Sequence, residues 1–319
     1  VAYLRRALGE TEASSPALKR SLERSAEIGR ELGDESIGAM PRAFAALGML
    51  FAGQIRPAIG ILDELLPVYR KRGDPIGSAL IAGMRSVGYA RVGDFAAAER
   101  AAAESDAIAR TADLMAILDA QAGHAYIDLE RGELDRAADT ALACRVQADE
   151  AGALSCSVLS NFLLGFARVL RGEPSAARSA FERGRDVAQA ASAAPWRNRI
   201  LGGLSWSRAM LADADAAALA DLDRAIETAR QMRDPYDEGT LLMFRGTIRV
   251  RSDETRAAAI ADFAAAKELF TAIGARPALI RTLRAWADAL EVAGRGDEAS
   301  QRRGEANALA EELGIASTG

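Results

Sequence analysis

Few residues of this 319-residue chain have the chemistry that catalysis or metal binding requires. His124 is the only histidine, which excludes a metal site built on two histidines, and the two cysteines, Cys144 and Cys156, do not form a Cys-x-x-Cys motif. None of the three lysines follows a glycine, as the phosphate-binding Walker A loop requires, and the Gly-x-Gly-x-x-Gly and Gly-x-Ser-x-Gly motifs are absent. The sequence therefore predicts a protein with no enzymatic activity, no cofactor and no metal site.

Polar side chains with binding chemistry recur instead on one face of several predicted helices. The face consists of the positions 11, 8 and 4 residues before each of a regular series of turns, a spacing that brings side chains together on a helix. Guanidinium groups bind carboxylates through paired hydrogen bonds, so an arginine-rich groove would suit an acidic or carboxylate-bearing peptide. The predicted binding residues on this face are Arg85, Tyr89, Gln121, His124, Asp128, Asn161, Arg168, Arg245 and Arg249.

Simpler interpretations of these residues stay open. Any solvated helix face of a chain with 37 arginines would look similar, and a single histidine such as His124 is more typical of ordinary packing than of proton transfer. Trp206 and Trp286 likewise fit the packing of repeats better than ligand stacking. If the face binds a partner, replacing both Arg85 and Arg168 by alanine should weaken binding and leave folding intact.

The elements that position these residues follow from a repeat of almost constant length. Turn residues occur at steps of 40, 39, 40, 41, 40 and 41 residues, and an alanine follows each of them by five residues. Such a period indicates helical hairpins that stack side by side around one continuous core. The turn residues are Gly53, Gly93, Gly132, Gly172, Asp213, Asp253 and Gly294, and the alanines are Ala58, Ala98, Ala137, Ala177, Ala218, Ala258 and Ala299.

Each hairpin is predicted to contain a helix A and a helix B of about 17 residues, each roughly 26 Å long. The predicted fold class is all-α, a right-handed superhelical solenoid of about seven antiparallel hairpins that forms a single domain over residues 1–319. The predicted hairpins span residues 35–73, 75–112, 114–152, 154–192, 195–233, 235–274 and 276–314, after a partial N-terminal hairpin at 1–33.

Local chemistry supports these boundaries. The repeated alanine lies in the first turn of helix B, where only a small side chain lets helix A approach to about 8–10 Å. Asp74-Pro75 and Asp234-Pro235 predict helix starts, because an aspartate cap there precedes a proline at the first helical position.

The repeat resembles the tetratricopeptide signature of small and aromatic positions. The usual tetratricopeptide period is 34 residues, so this chain is similar to a variant with longer helices. The resemblance implies a superhelix in which the A helices line the concave side. It is carried by Gly88-Tyr89 with Gly93-Asp94-Phe95 and Ala98, and by Leu47-Gly48 with Phe51 and Ala58.

The C-terminal part of the chain is similar to a narrower group. Residues 270–283, 287–290 and 308–314 look like the sensor arms of large bacterial regulatory ATPases, including maltose-activator-type transcription regulators and class III cyclase fusions. In that group the arm follows a nucleotide-binding module and often precedes a DNA-binding one. The resemblance implies a role in signal transduction or transcription regulation, and it transfers no catalytic residue because this chain contains neither module.

Composition limits the classes of partner that the protein is expected to bind and the compartment in which it is expected to occur. A formal net charge of −5 argues against direct binding to nucleic acid or to an acidic membrane, and no apolar run approaches the roughly 20 residues of a membrane span. Two cysteines are too few for a disulfide framework, which predicts buried thiols in the cytoplasm. The helix at about residues 16–32 has an uncovered side with Leu18, Leu22 and Ile28, which predicts self-association or contact with preceding sequence.

Two functions are compatible with these observations. The first is a non-enzymatic module that binds a protein or peptide along its concave face, as the regulatory or sensor arm of a larger bacterial protein. The second is a sensor that binds a small-molecule effector in the same groove. A pocket enclosed by several A helices would favour the sensor, and an open continuous groove would favour the peptide module.

Overall fold

The computed structural model describes residues 16–33, 35–191, 197–211 and 215–315, in which helices are joined by short turns and no strand occurs. No helix of these ranges is long and apolar enough to cross a membrane. A short 3-10 helix, Glu35–Gly38, precedes the second α-helix. The fifteen α-helices of the described ranges are α1 (Pro16–Leu32), α2 (Ala39–Phe51), α3 (Ile55–Lys71), α4 (Pro75–Val92), α5 (Phe95–Ala109), α6 (Leu114–Arg131), α7 (Leu134–Glu150), α8 (Leu154–Leu170), α9 (Pro174–Ala191), α10 (Arg197–Leu211), α11 (Asp215–Gln231), α12 (Pro235–Arg249), α13 (Arg256–Ile273), α14 (Arg276–Val292) and α15 (Gly296–Leu313).

The helices pack in chain order. Each helix from α2 to α14 contacts the helix before it and the helix after it, and each even-numbered helix also contacts the next even-numbered one. The even-numbered helices are therefore the A helices of stacked hairpins, and the odd-numbered helices are the B helices. This arrangement confirms the predicted all-α solenoid.

The predicted helix starts are confirmed at two hairpins. An Asp74 carboxylate oxygen accepts a hydrogen bond of 2.8 Å from the Gly77 N–H, and a proline occupies the first position of α4. Asp234 accepts an equivalent bond of 2.9 Å from the Asp237 N–H at the start of α12. Each carboxylate satisfies a backbone donor that the first helical turn leaves without a partner.

The repeated alanine is buried in six hairpins, but the prediction of Ala258 is wrong. Ala58, Ala98 and Ala177 are fully buried, whereas Ala258 is exposed and its neighbour Ala259 is buried instead. The loop between α12 and α13 spans residues 250–255, while the corresponding turns that the structure describes in the other hairpins have two or three residues. The longer loop starts α13 later, which rotates the buried position by one residue.

Leucine substitutions at the two alanines of α13 test this register. We expect Ala259→Leu to lower the free energy of unfolding by about 1–3 kcal/mol, because the added atoms overpack a fully buried contact between helices. Ala258→Leu should change it by less than about 0.5 kcal/mol, since that side chain faces solvent. Urea denaturation measures both, and equal effects of the two substitutions would contradict the assigned register.

The solenoid also curls back on itself. Helix α14 contacts α4 and α6, and α12 contacts α2, although these helices are far apart in the chain. The A helices of the last hairpins therefore meet those of the first hairpins across the interior. This closure brings together side chains that no local pattern relates.

Candidate ligand-binding cavity

A partly open cavity of about 250 Å³ lies on the concave side, between the A helices α2, α4, α6 and α8. Leucine, alanine, glycine, valine and methionine residues form most of its wall. The polar residues that line it are Arg91, Asp119, Tyr126 and Ser155. An apolar cavity with a few convergent polar groups is the usual form of a small-ligand site.

Asp119 is the only acidic residue in the cavity wall. Its carboxylate accepts a hydrogen bond of 3.2 Å from the Cys156 thiol. Burial raises the pKa of Asp119, the Cys156 hydrogen bond lowers it, and the nearby charge of Asp113 raises it further. Burial likewise raises the pKa of the Cys156 thiol, so the thiol stays protonated and acts as the donor.

Cys144 and Cys156 are both free and buried, as predicted. The Cys144 thiol donates to the Leu118 carbonyl oxygen at 3.4 Å. Burial raises the pKa of Cys144 also, which disfavours the reactive thiolate. Neither thiol has the electropositive, exposed setting of a catalytic cysteine.

Arg91 connects the cavity to a buried polar cluster. Its side chain is 1 % exposed, and its Nε donates to the Tyr126 hydroxyl at 2.9 Å. One terminal nitrogen donates to the Leu50 carbonyl oxygen at the end of α2, at 2.8 Å. The guanidinium also lies over the Tyr236 ring, 4.3 Å from its centroid. Arg91 therefore joins α2, α6 and α12 across the interior.

The second part of the cluster joins α6 to α14. Arg281 donates to one Glu130 carboxylate oxygen at 3.0 Å, and the Tyr236 hydroxyl donates to the other at 2.6 Å. Burial, followed by the charge of Glu130, holds the pKa of Tyr236 well above its usual value. The phenol therefore stays protonated, and Glu130 accepts bonds from two helices of the opposite side.

The third part of the cluster lies between α10 and α12. Arg199 is 1 % exposed, forms an ion pair with Asp237, and lies 3.6 Å from an Asp234 carboxylate oxygen. Its guanidinium lies 4.9 Å from the Tyr236 ring centroid, on a ring that Arg91 also contacts. Burial lowers the pKa of Arg199, and the charge of Asp234 opposes that shift.

These residues form what we call the central cluster: three arginines, three carboxylates and two tyrosines that link α4, α6, α10, α12 and α14. Its formal charges cancel, and buried charges are stable only when paired and hydrogen-bonded in this way. The cluster fills part of the concave side, so the cavity is bounded by polar groups at the Arg91 end. The members are Arg91, Tyr126, Glu130, Arg199, Asp234, Tyr236, Asp237 and Arg281.

The predicted binding face lies against the B helices. None of its nine residues lines the cavity. Six residues of α4 line the cavity, at 2, 6, 9, 10, 13 and 14 positions before Gly93. Four of them, at 2, 6, 9 and 13, lie two residues from positions of the predicted face, which is a rotation of about 200° around the helix. The sequence pattern identified a polar face, but the apolar face opposite it lines the interior.

Most of the predicted binding residues have partners in the structure. Arg85 pairs with Asp63 of α3 at 2.6 Å and Glu104 of α5 at 2.7 Å, and both Arg85 and Tyr89 line a polar pocket of about 380 Å³. A role in binding stays a prediction for all nine residues. In the other hairpins the contacts are Tyr89 to Asp63 at 3.4 Å, His124 to Asp106 at 2.7 Å, Asp128 to Arg136 at 2.5 Å, Arg168 to the Ala176 carbonyl oxygen at 3.1 Å, Arg245 to Asp223 at 2.5 Å and to Asp262 at 2.6 Å, and Arg249 to Asp262 at 2.8 Å.

The remaining two predicted residues are removed from solvent to different degrees. Asn161 is fully buried and donates to the Ser157 carbonyl oxygen at 2.8 Å, while Gln121 is partly buried. Trp206 is 8 % exposed and donates to the Thr247 hydroxyl at 2.9 Å, as expected of a packing residue. Among the described residues, no three His, Cys, Asp or Glu side chains form a group that could hold a metal ion.

Comparison with known proteins gives structural neighbours only. No family profile matches the chain, and no curated protein matches it. The crystal structure of a Rap protein complexed with competence and sporulation factor matches with a TM-score of 0.72 and 11 % identity, and the match covers 98 % of this chain and 83 % of that chain.

Two further solved structures are similar to this chain. Aspartyl phosphate phosphatase F from Bacillus subtilis matches with a TM-score of 0.60 and 12 % identity, over 92 % of this chain and 76 % of that one. The apo form of RapI matches with a TM-score of 0.58 and 14 % identity, over 86 % of this chain and 99 % of that one. At such identities the likeness shows the tetratricopeptide-like helical-repeat fold alone.

Proposed function

We propose that this chain is a regulatory module that binds a short peptide by inserting one of its side chains into the concave cavity. The observation that carries this proposal is the cavity of about 250 Å³, which four A helices line with mostly apolar side chains. A volume of this size accommodates one long side chain rather than an extended segment. A structural neighbour complexed with competence and sporulation factor supports ligand binding by this fold.

A small-molecule sensor is the second candidate. It is favoured by the position of the partly open cavity between four A helices, together with the central cluster that occupies the neighbouring interior. A sensor needs a bounded site whose occupation changes the packing of mobile elements. Arg91 belongs to both the cavity wall and the central cluster, so an effector would act on the contact between the two ends of the solenoid.

We further propose that the module is the arm of a larger bacterial regulatory ATPase. The similarity of residues 270–283 and 308–314 to such arms supports this context. The reading frame that surrounds this segment should then encode a nucleotide-binding module. A frame that encodes no such module would contradict this part of the proposal and leave the cavity unaffected.

A matched pair of tryptophan substitutions on α8 tests the cavity. Leu159 lines it, whereas Leu154 is 44 % exposed and does not. Heptapeptides selected by display against the wild-type chain should bind Leu159→Trp at least about ten-fold more weakly, because the indole fills the site, and should bind Leu154→Trp unchanged. Titration calorimetry measures each affinity.

The same peptides distinguish the cavity from the polar face. Under the cavity proposal, the double variant Arg85→Ala/Arg168→Ala keeps full affinity, because neither arginine lines the site. If that variant lost binding while Leu159→Trp retained it, the acidic-peptide groove predicted from the arginine-rich face would be the site instead. Failure of every selected peptide to distinguish Leu159→Trp from Leu154→Trp would also overturn the cavity proposal.

A further inference from the structure

The wall of the cavity is mostly apolar and contains one acidic group. Asp119 lies in α6 and is partly buried, and the Cys156 thiol is the hydrogen-bond donor to its carboxylate. A thiol is a weak donor that satisfies little of what an ionised carboxylate requires. The site therefore has capacity for a stronger partner at one defined point of its wall.

No cation of the described residues forms an ion pair with Asp119. The charged group that acts on it is Asp113, another carboxylate, which together with burial raises the pKa of Asp119. Arg91, the cation of the same cavity, is engaged with the Tyr126 hydroxyl and the Leu50 carbonyl oxygen. Almost every other carboxylate of the interior, including Glu130 and Asp237, is paired with an arginine. Asp119 differs from these carboxylates because no arginine pairs with it.

We propose that the cavity binds a group with an unbranched apolar stem and a single positive charge, and that the charge is placed on Asp119. A lysine side chain of a peptide and a free alkylammonium ion share this chemistry. The apolar wall from α2, α4, α6 and α8 accommodates the stem, and the carboxylate pairs with the ammonium group. This inference rests on the proposed use of the cavity as the binding site.

The proposal excludes two related classes of ligand. An anionic group would be repelled by Asp119 and would leave that carboxylate with no cation beside it. A neutral group of the same shape would gain the apolar contacts but not the ion pair. Selectivity for the cation over its neutral isostere is therefore the quantity that measures the role of Asp119.

Three five-carbon probes of similar length test this preference for a cation on the whole chain. We expect n-pentylammonium to bind at least about ten-fold more tightly than 1-pentanol, and pentanoate to bind more weakly than either. Chemical-shift titration by NMR measures these affinities. Equal binding of pentylammonium and pentanol to the wild-type chain overturns the inference, even without any variant.

A matched pair of variants assigns the effect to one carboxylate. Asp119→Asn keeps the size of the side chain and should abolish the preference for pentylammonium while pentanol binding is unchanged. Asp106→Asn, which removes a carboxylate outside the cavity, should keep the preference. Circular dichroism checks folding, and Asp119→Ser replaces the asparagine variant if that variant does not fold. A preference that survives removal of the Asp119 carboxylate overturns the inference.

The selected peptides show whether the charged group belongs to a peptide or to a free amine. They also distinguish failure of this inference from failure of the proposed function. If a peptide supplies the charge, replacing its lysine by norleucine weakens binding at least about ten-fold on the wild-type chain and has no effect on Asp119→Asn. Selective binding of pentylammonium with no cavity-dependent peptide supports the inference with a small amine as ligand. Cavity-dependent peptides that are indifferent to Asp119 overturn this inference but leave the proposed function standing.

Discussion

Glu130→Ala is expected to lower the free energy of unfolding by about 3–5 kcal/mol. The substitution removes the carboxylate that pairs with Arg281 at 3.0 Å and accepts from the Tyr236 hydroxyl at 2.6 Å. Glu130 is 2 % exposed, and Arg281 is 14 % exposed, so solvent cannot replace the lost partner. The larger part of this effect comes from the Arg281 charge that is left buried without its carboxylate, and the smaller part from the lost attraction between the two groups.

A double variant separates the two contributions. Glu130→Met/Arg281→Met replaces the ion pair by apolar side chains and should be far less destabilising than Glu130→Ala, because no charge is left unpaired. Guanidinium denaturation of the three proteins measures the difference. If the double variant were as unstable as Glu130→Ala, the effect of Glu130→Ala would come from the lost attraction between Glu130 and Arg281. The unpaired charge left on Arg281 would then not be its main cause.

The same variants report on closure of the solenoid. Glu130 and Arg281 are 151 residues apart in sequence, and the A helices that they join are not neighbours in the stack. Glu130→Ala should therefore increase amide exchange in α14 more than in α8, which lies inside the stack. Uniform protection across the two helices would contradict a role for this pair in closure.

Arg199→Met is expected to cost a similar amount, about 3–5 kcal/mol. Arg199 is 1 % exposed, and its removal leaves the carboxylates of Asp237 and Asp234 in the interior without their guanidinium. It also removes one of the two cations that lie on the Tyr236 ring. Both effects act on the start of α12, so that helix should lose stability first.

Arg208→Met is the matched control on the same helix. Arg208 is exposed on α10, so its replacement should change stability by less than about 0.5 kcal/mol. Thermal unfolding followed by circular dichroism measures both variants under one condition. Equal melting temperatures for Arg199→Met and Arg208→Met would show that Arg199 is not held in the buried arrangement described above.

Local sequence determined the hairpins because their signals are local. An alanine five residues after a turn lets two helices approach, and Ala58 and Ala177 are fully buried accordingly. Asp74 before a proline caps α4 by a contact within three residues. The exception, Ala258, arose where a longer loop changed the register, since a period counted in residues takes no account of loop length.

The rotation of the A helices was decided by tertiary packing. Polar positions such as Arg85 repeat along the chain as regularly as apolar ones, so periodicity alone does not say which face meets the interior. In the structure these positions pair with B-helix carboxylates, and apolar positions such as Val87 line the cavity. Helix A buries its more apolar side on the concave face because the other A helices close over it.

By itself, the sequence determined that this protein is an all-α solenoid of stacked hairpins, because each hairpin is specified by contacts within about 40 residues. The tertiary structure alone decided three features. They are the contact between the last and first A helices, the cavity, and the lack of a cation beside Asp119. Glu130 meets Tyr236 and Arg281 from 106 and 151 residues away, as a result of superhelical curvature summed over many hairpins. Each hairpin is rotated slightly relative to the one before it, and these rotations add up over many hairpins. The residue pattern of a single repeat therefore does not predict which distant helices meet.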